Sequence, residues 1–128
     1  MASRVEIIEV GPRDGLQNEN QILAHNKRST LVKKLSQTGL SRIELGAFVS
    51  PHRVPQMEDS LKVAKSCIKH SKTRKLKTKY SALVPNMRGL QDFLKTGLKE
   101  AAVFAACTES FSRKNINCSI EELSLIQI

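Results

Sequence analysis

The sequence has no tryptophan, one tyrosine and four phenylalanines. A platform for stacked nucleic-acid bases needs an aromatic ladder, so that class of surface is poorly supplied. Cysteine is also scarce: Cys67, Cys107 and Cys118 are odd in number, widely spaced and never arranged as C-x-x-C. That pattern argues against a disulfide framework or a structural zinc site and for free thiols in a reducing compartment. No apolar run approaches the roughly 20 residues needed to cross a bilayer. The opening MASRVEIIEV carries acids by its sixth residue and lacks the form of a signal peptide. A soluble, cytoplasmic protein with no membrane partner is the expectation.

What is present fits one ordinary domain. The 128 residues are 40% hydrophobic and 26% charged, so a packed core is expected rather than disorder. The net charge of +9 raises the question of a polyanionic partner. Eight of the 21 basic residues, however, lie between Lys62 and Lys79, on a helix and the loop after it. Without aromatic company they read as a solvated face, and no nucleic-acid partner is expected.

Apolar strands alternate with amphipathic helices. RVEIIEV, Arg4 to Val10, is β-branched and stops at Gly11-Pro12. A helix follows from about His25, with Leu31, Val32 and Leu35 on one face, and stops at Gly39. RIELGAF, Arg42 to Phe48, is a second strand ended by Ser50-Pro51. A second helix carries Met57, Leu61, Ala64 and Ile68 at three-four spacing. YSALV, Tyr80 to Val84, is a third strand; Leu90, Phe93 and Leu94 mark a third helix ending at Gly97. AAVFAA, Ala101 to Ala106, is a fourth strand. A fourth helix is expected from Ser119, which forms a capping box with Glu122.

Such alternation builds a parallel sheet, because each return crossover needs a helix. An open doubly wound sheet and a closed eight-fold barrel compete. The first loop, GPRDGLQNE, is not a G-x-G-x-x-G phosphate loop. Polar residues recur instead after successive strands: Arg13 and Asp14, then Ser50, then Asn86, then Thr108 and Glu109. Barrel enzymes gather their sites in that way, at the C-terminal ends of several strands. The expected fold is an α/β TIM barrel, of which residues 1–128 supply about the first four βα units as the N-terminal, incomplete part of a single catalytic domain. Four strands cannot close a barrel, and their unpaired outer edges invite association.

Within EVGPRDGLQNE, Asp14 is a hard oxygen ligand suited to magnesium or manganese. Arg13 offers a positive fork for a carboxylate or an enolate. Gln17 can donate or accept a hydrogen bond. Pro-x-Asp-Gly is also ordinary turn vocabulary, so a surface turn pair stands beside the chemical reading. Glu44 lies inside the second strand, on the face opposite Ile43 and Leu45. A buried carboxylate needs a partner, and Arg13 is the nearest cationic candidate; a purely structural ion pair would satisfy the same need. His25, His52 and His70 show no ligand spacing and read as surface residues. Cys107 and Cys118 show no sign of thiolate activation.

Four segments in order resemble a known family. EVGPRDGLQNE is similar to the first-strand signature of the 3-hydroxy-3-methylglutaryl-CoA lyases. FVSPHRVPQM, Phe48 to Met57, resembles the loop after their second strand; VPN at Val84 to Asn86 and SRKNINCSIEE at Ser112 to Glu122 are also similar. Gly11-Pro12 before Arg13 and LQNE after Gly15 favour this branch of the DRE-TIM metallolyases over the isopropylmalate and homocitrate synthases. The resemblance implies cleavage of hydroxymethylglutaryl-CoA to acetyl-CoA and acetoacetate, a step of leucine degradation and ketone-body formation. It implies a divalent cation, Mg2+ or Mn2+, with Asp14 as a ligand. It makes Arg13 the stabiliser of the enolate, Glu44 the carboxylate beside that arginine, and Gln17 a residue of the substrate pocket. The partner so implied is a small-molecule acyl-CoA, with a homodimer left open. The family's His-x-His pair, asparagine ligand and loop cysteine do not occur here, and Gly46-Ala47 and His52-Arg53 depart from its usual residues. These 128 residues alone are therefore expected to be inactive. A related aldol-type synthase and a non-catalytic half-barrel binding module are the alternatives.

Overall fold

A computed structural model describes residues 3–127. Four parallel strands form one sheet in the order β1-β2-β3-β4, with β1 at Ile8–Glu9, β2 at Arg42–Ala47, β3 at Lys79–Leu83 and β4 at Glu100–Ala102. Helices α1 (His25–Leu35), α2 (Ser60–Arg74) and α3 (Met87–Leu94) provide the three crossovers, and α4 (Glu109–Ile116) and α5 (Ile120–Ser124) follow β4. A doubly wound sheet reverses its strand order at a switch point. Here each strand lies beside its predecessor without reversal, which with right-handed crossovers keeps the helices on one side and winds the sheet toward a barrel.

The core lies between that sheet and its helices. Ile43, Leu45, Tyr80 and Ala82 from the strands, with Val84 just past β3, meet Val32 of α1, Val63, Ala64 and Cys67 of α2, and Phe93 of α3. Burying a side chain such as Ile43 or Leu45 stabilises by about 1.5–3 kcal/mol. From Ile43 to Ala47 every residue of β2 is buried, as expected of a parallel strand covered on both faces. The register of β2 against β3 shifts between Glu44 and Ala47. Such a bulge re-aims the end of a strand.

Several boundaries differ from expectation. The first strand is only two residues long, because β1 is an edge with one hydrogen-bonding neighbour; Val5 and Ile7 before it are exposed. The fourth is three residues, at the opposite edge, and Phe104 beyond it is 43% exposed. The buried stripe of α2 is Ser60, Val63, Ala64 and Cys67; Leu61 and Ile68 flank it, and Met57 lies in a preceding short turn of helix, Pro55–Met57. Leu94 of α3 faces solvent. Gly39 and Gly97 do adopt the left-handed conformation, four and three residues beyond the ends of α1 and α3. Helix α4 is an addition to the expected elements. The capping box at Ser119 and Glu122 forms as read.

Candidate active site

The Val10 carbonyl accepts N–H bonds from Arg13 (3.1 Å), Asp14 (2.7 Å) and Gly15 (3.4 Å). The chain after β1 therefore coils into one wide helical turn, Gly11–Gly15, with Pro12 buried at its start. Wide turns of this kind recur at functional sites. The turn points Arg13 across to β2, where its Nε donates to Oε1 of Glu44. Glu44 is 6% exposed and is satisfied by this pairing. Arg13 Nη1 donates to Asp14 Oδ1 at 3.1 Å, while Nη2 has no partner among the described residues. Asp14 itself is exposed, so it presents a carboxylate edge to solvent beside a fixed cation.

Arg13 and Gln17 line an open cleft of about 1550 Å³ at the C-terminal ends of the strands. Its walls come from the segment after β2, from Pro85 to Gly89 after β3, and from Asn115 to Cys118 after β4. Gln17 Oε1 is buried and has no hydrogen-bond partner among the described residues. A buried acceptor without a donor is costly, and such atoms cluster where ligands bind. Arg53 and His52 lie on the cleft wall, as does Arg88.

The structure thus brings Arg13, Asp14, Glu44 and Gln17 to one end of the sheet. Of the three histidines only His52 shares the cleft with Arg13 and Gln17, and among the described residues no three His, Cys, Asp or Glu side chains converge as a metal cluster. A magnesium ion prefers about six oxygen ligands, so Asp14 alone does not make a site for it. Asn86 and Thr108, polar residues at strand ends, serve as helix caps, accepting from Gly89 N (2.8 Å) and Phe111 N (3.3 Å). Glu109 accepts from Ile120 N and so joins α4 to α5. The basic residues from Lys62 to Lys79 are all exposed and none lines the cleft. Cys107 is exposed; Cys67 is fully buried, and burial pushes its thiol up to about 11.

One residue beneath the cleft wall was not singled out by the sequence. Arg28 of α1 is 1% exposed. Its Nη1 donates to the Glu58 carbonyl and its Nη2 to Ser60 Oγ at 3.1 Å. Burial lowers its affinity for a proton, partly offset by Asp59. The available signal was its place one turn before Val32 on the apolar stripe of α1, where a cation needs an internal partner. The wall has a second tight point. A side chain at Gly89 would meet the Phe48 carbonyl at 2.5 Å, so the start of α3 lies directly on the segment after β2. Phe48 and Phe93 pack edge to face beneath it, with centroids 6.0 Å apart.

Comparisons with known proteins point one way. The HMGL-like family profile matches residues 4–126. The chain is 51% identical over 118 residues to the cytoplasmic 3-hydroxy-3-methylglutaryl-CoA lyase of Rattus norvegicus, covering 92% of this chain and 33% of that protein. The crystal structure of the Bacillus subtilis HMG-CoA lyase is 46% identical and superposes with a TM-score of 0.81, over 96% of this chain and 40% of that one. An HMG-CoA lyase from Acinetobacter baumannii, solved in complex with coenzyme A and 3-methylmalate, is 28% identical with a TM-score of 0.82, over 94% of this chain and 38% of that one. The chain spans about a third of the length of the curated relatives it matches. Its sheet and helices correspond to the first four βα units of an eight-fold barrel. No helix among the described residues is long and apolar enough to cross a membrane.

Proposed function

The chain belongs to the HMGL-like family, and from that premise we propose that it is the N-terminal part of a barrel-domain lyase that cleaves 3-hydroxy-3-methylglutaryl-CoA to acetyl-CoA and acetoacetate. The observation that carries the reading is the Arg13–Glu44 pair at the strand ends, with Asp14 bonded to the same guanidinium. Retro-aldol cleavage leaves negative charge on an enolate oxygen. A guanidinium already oriented by a buried carboxylate can take up that charge without reorganising. Glu44 holds Nε, so Arg13 is fixed in rotation, and its Nη2 edge stays free for the substrate oxygen. Gln17 lends its unpartnered Oε1 to a donor on the substrate. On this reading the cleft takes the acyl-CoA; that the Acinetobacter relative was solved with coenzyme A supports an acyl-CoA as the partner.

Asp14 is proposed as one oxygen ligand of a divalent cation, magnesium or manganese, whose other ligands lie outside these 128 residues. When bound, the ion supplies Lewis-acid polarisation of the substrate's tertiary alcohol. The 128 residues hold one edge of this site and do not turn over substrate alone.

The test is complementation. The chain is co-expressed with the remaining, C-terminal part of the Bacillus subtilis lyase, and acetoacetate is measured from hydroxymethylglutaryl-CoA. Turnover by the pair, lost with Asp14→Ala and with Arg13→Gln, is the expected result. A stable complex with no turnover refutes the lyase reading; turnover by the chain alone refutes the half-site.

A further inference from the structure

Arg28 occupies a position that ordinary stability does not explain. It is a buried cation with no carboxylate paired to it among the described residues, and its Nε has no hydrogen-bond partner. It also sits against the first residues of α2. The N-terminus of a helix repels positive charge, so the location is unfavourable on that count too. What Arg28 does contact is the segment between β2 and α2, at the Glu58 carbonyl and the Met57 sulfur (3.8 Å), and the first residue of α2, at the Ser60 hydroxyl (3.1 Å).

The Ser60 hydroxyl is the junction. It donates to the Met57 carbonyl at 2.7 Å and accepts from Arg28 Nη2 and from the Ala47 amide at 3.3 Å. One donor and two acceptor sites are all a hydroxyl has, so it is saturated. The Ala47 amide belongs to the bulged end of β2. Between the amide and the hydroxyl, Asp59 takes the left-handed conformation (φ 60°) with no side-chain cap on α2. That backbone persists only where its surroundings fix it. Gly46 completes the fit: a Cβ there would stand 2.7 Å from Ser60 Oγ and 3.2 Å from Arg28 Nη2.

We propose that Arg28 is a positioning residue that, through Ser60, clamps residues 48–59 onto the bulge of β2 and so sets the wall of the substrate cleft. The functional half of this inference rests on the reading of the cleft as the acyl-CoA site. Arg28 and Ser60 belong to α1 and α2, while Glu44 of β2 pairs with Arg13 of the turn after β1. One strand therefore carries the ion pair at Glu44 and the anchor of its neighbouring loop at Gly46 and Ala47.

The experiment is amide hydrogen exchange on the 128-residue chain, followed by coenzyme A titration of the complemented enzyme. In Arg28→Met, amides of residues 49–58 are expected to exchange at least tenfold faster while those of residues 43–45 keep their protection. Arg28→Lys, which retains one donor group, recovers part of the effect. In the complemented enzyme, Arg28→Met weakens coenzyme A binding several-fold and raises KM more than it lowers kcat. If Arg28→Met does not fold, Ser60→Ala and Gly46→Ala disturb the same junction from its other sides and carry the same expectation. Unchanged exchange of residues 49–58, or a uniform increase over the whole chain, overturns the clamp. Localised loosening with coenzyme A affinity and KM unchanged overturns its role in setting the cleft. A wild-type complex that binds no coenzyme A refutes the acyl-CoA reading instead, and leaves the exchange result to decide the clamp.

Discussion

Removing Glu44 tests whether the Arg13 pairing is an organising contact or a surface coincidence. Glu44 is 6% exposed, and the Arg13 side chain is 19% exposed. Opposite charges about 4 Å apart attract by roughly 4 kcal/mol at an effective dielectric of about 20. Arg13 keeps some contact with water, which screens part of that attraction and hydrates the charge left behind. A coupling of about 2 kcal/mol is expected, between the 0.2–1 kcal/mol of exposed pairs and the 3–5 kcal/mol lost when a fully buried pair is broken. Urea denaturation of wild type, Glu44→Ala, Arg13→Ala and the double variant closes the cycle. Tyr80, the one tyrosine and 7% exposed, provides a fluorescence probe free of tryptophan, with far-ultraviolet circular dichroism as the second. For a chain of this size the single variant should melt roughly 6–10 °C lower. A coupling below about 0.5 kcal/mol would show that the two side chains are neighbours without mutual dependence. The pre-oriented guanidinium on which the proposed chemistry relies would then be lost.

Other outcomes follow from the same geometry. Asp14→Ala should change stability by less than about 0.5 kcal/mol, because its carboxylate is exposed, yet it should abolish turnover of the complemented enzyme; thermal melting and the acetoacetate assay measure the two separately. Leu45→Ala, at a fully buried strand position, should cost about 2–5 kcal/mol in urea denaturation. Cys67 gives a pH signature. Its thiol is held up to about 11 in the folded chain against an ordinary 9.0, so the native state keeps a proton that the unfolded state has lost. Stability is therefore complete below about pH 9 and falls by about 2–3 kcal/mol as pH rises through 11. Cys67→Ala should flatten that part of the profile, and a thiol reagent at neutral pH should modify Cys107 in the native protein but Cys67 only on unfolding.

The sheet was largely legible because each strand is bounded by Gly or Pro and each crossover carries an apolar helix face. Arg13 and Glu44 could be paired from sequence because a carboxylate inside a parallel strand has to find a cation. The face of α2 was misread by one residue. Ser60 and Cys67 hold its buried stripe but are too small or polar to announce it, whereas Leu61 and Ile68 announce the flank. Helix α4 has no apolar stripe to read: Phe111 is exposed, and Ser112 and Ile116 are its buried residues. The burial of Arg28 had a signal in its place on the apolar stripe of α1, but its partners did not. The junction joins the Ser60 hydroxyl to backbone groups of Ala47, Met57 and Glu58 at a bulge, and backbone groups and bulges leave no mark in the order of side chains. Strand lengths at the two edges depended on neighbours rather than on propensity, so β-branched RVEIIEV yielded only Ile8–Glu9.

The contact at Gly89 has a consequence for how such a rim can vary. A backbone carbonyl on one side and a missing side chain on the other leave no rotamer through which either partner could yield. Pro85, two residues before the start of that helix, has its carbonyl 4.0 Å from Cys118 Sγ, and the Cys118 carbonyl in turn accepts from the Ser112 hydroxyl. Loops that look like independent appendages of successive strands are in series, each seated on the next. Changes of sequence in one of them are constrained by the next, and a new substrate preference at this mouth would have to be acquired by neighbouring segments changing together.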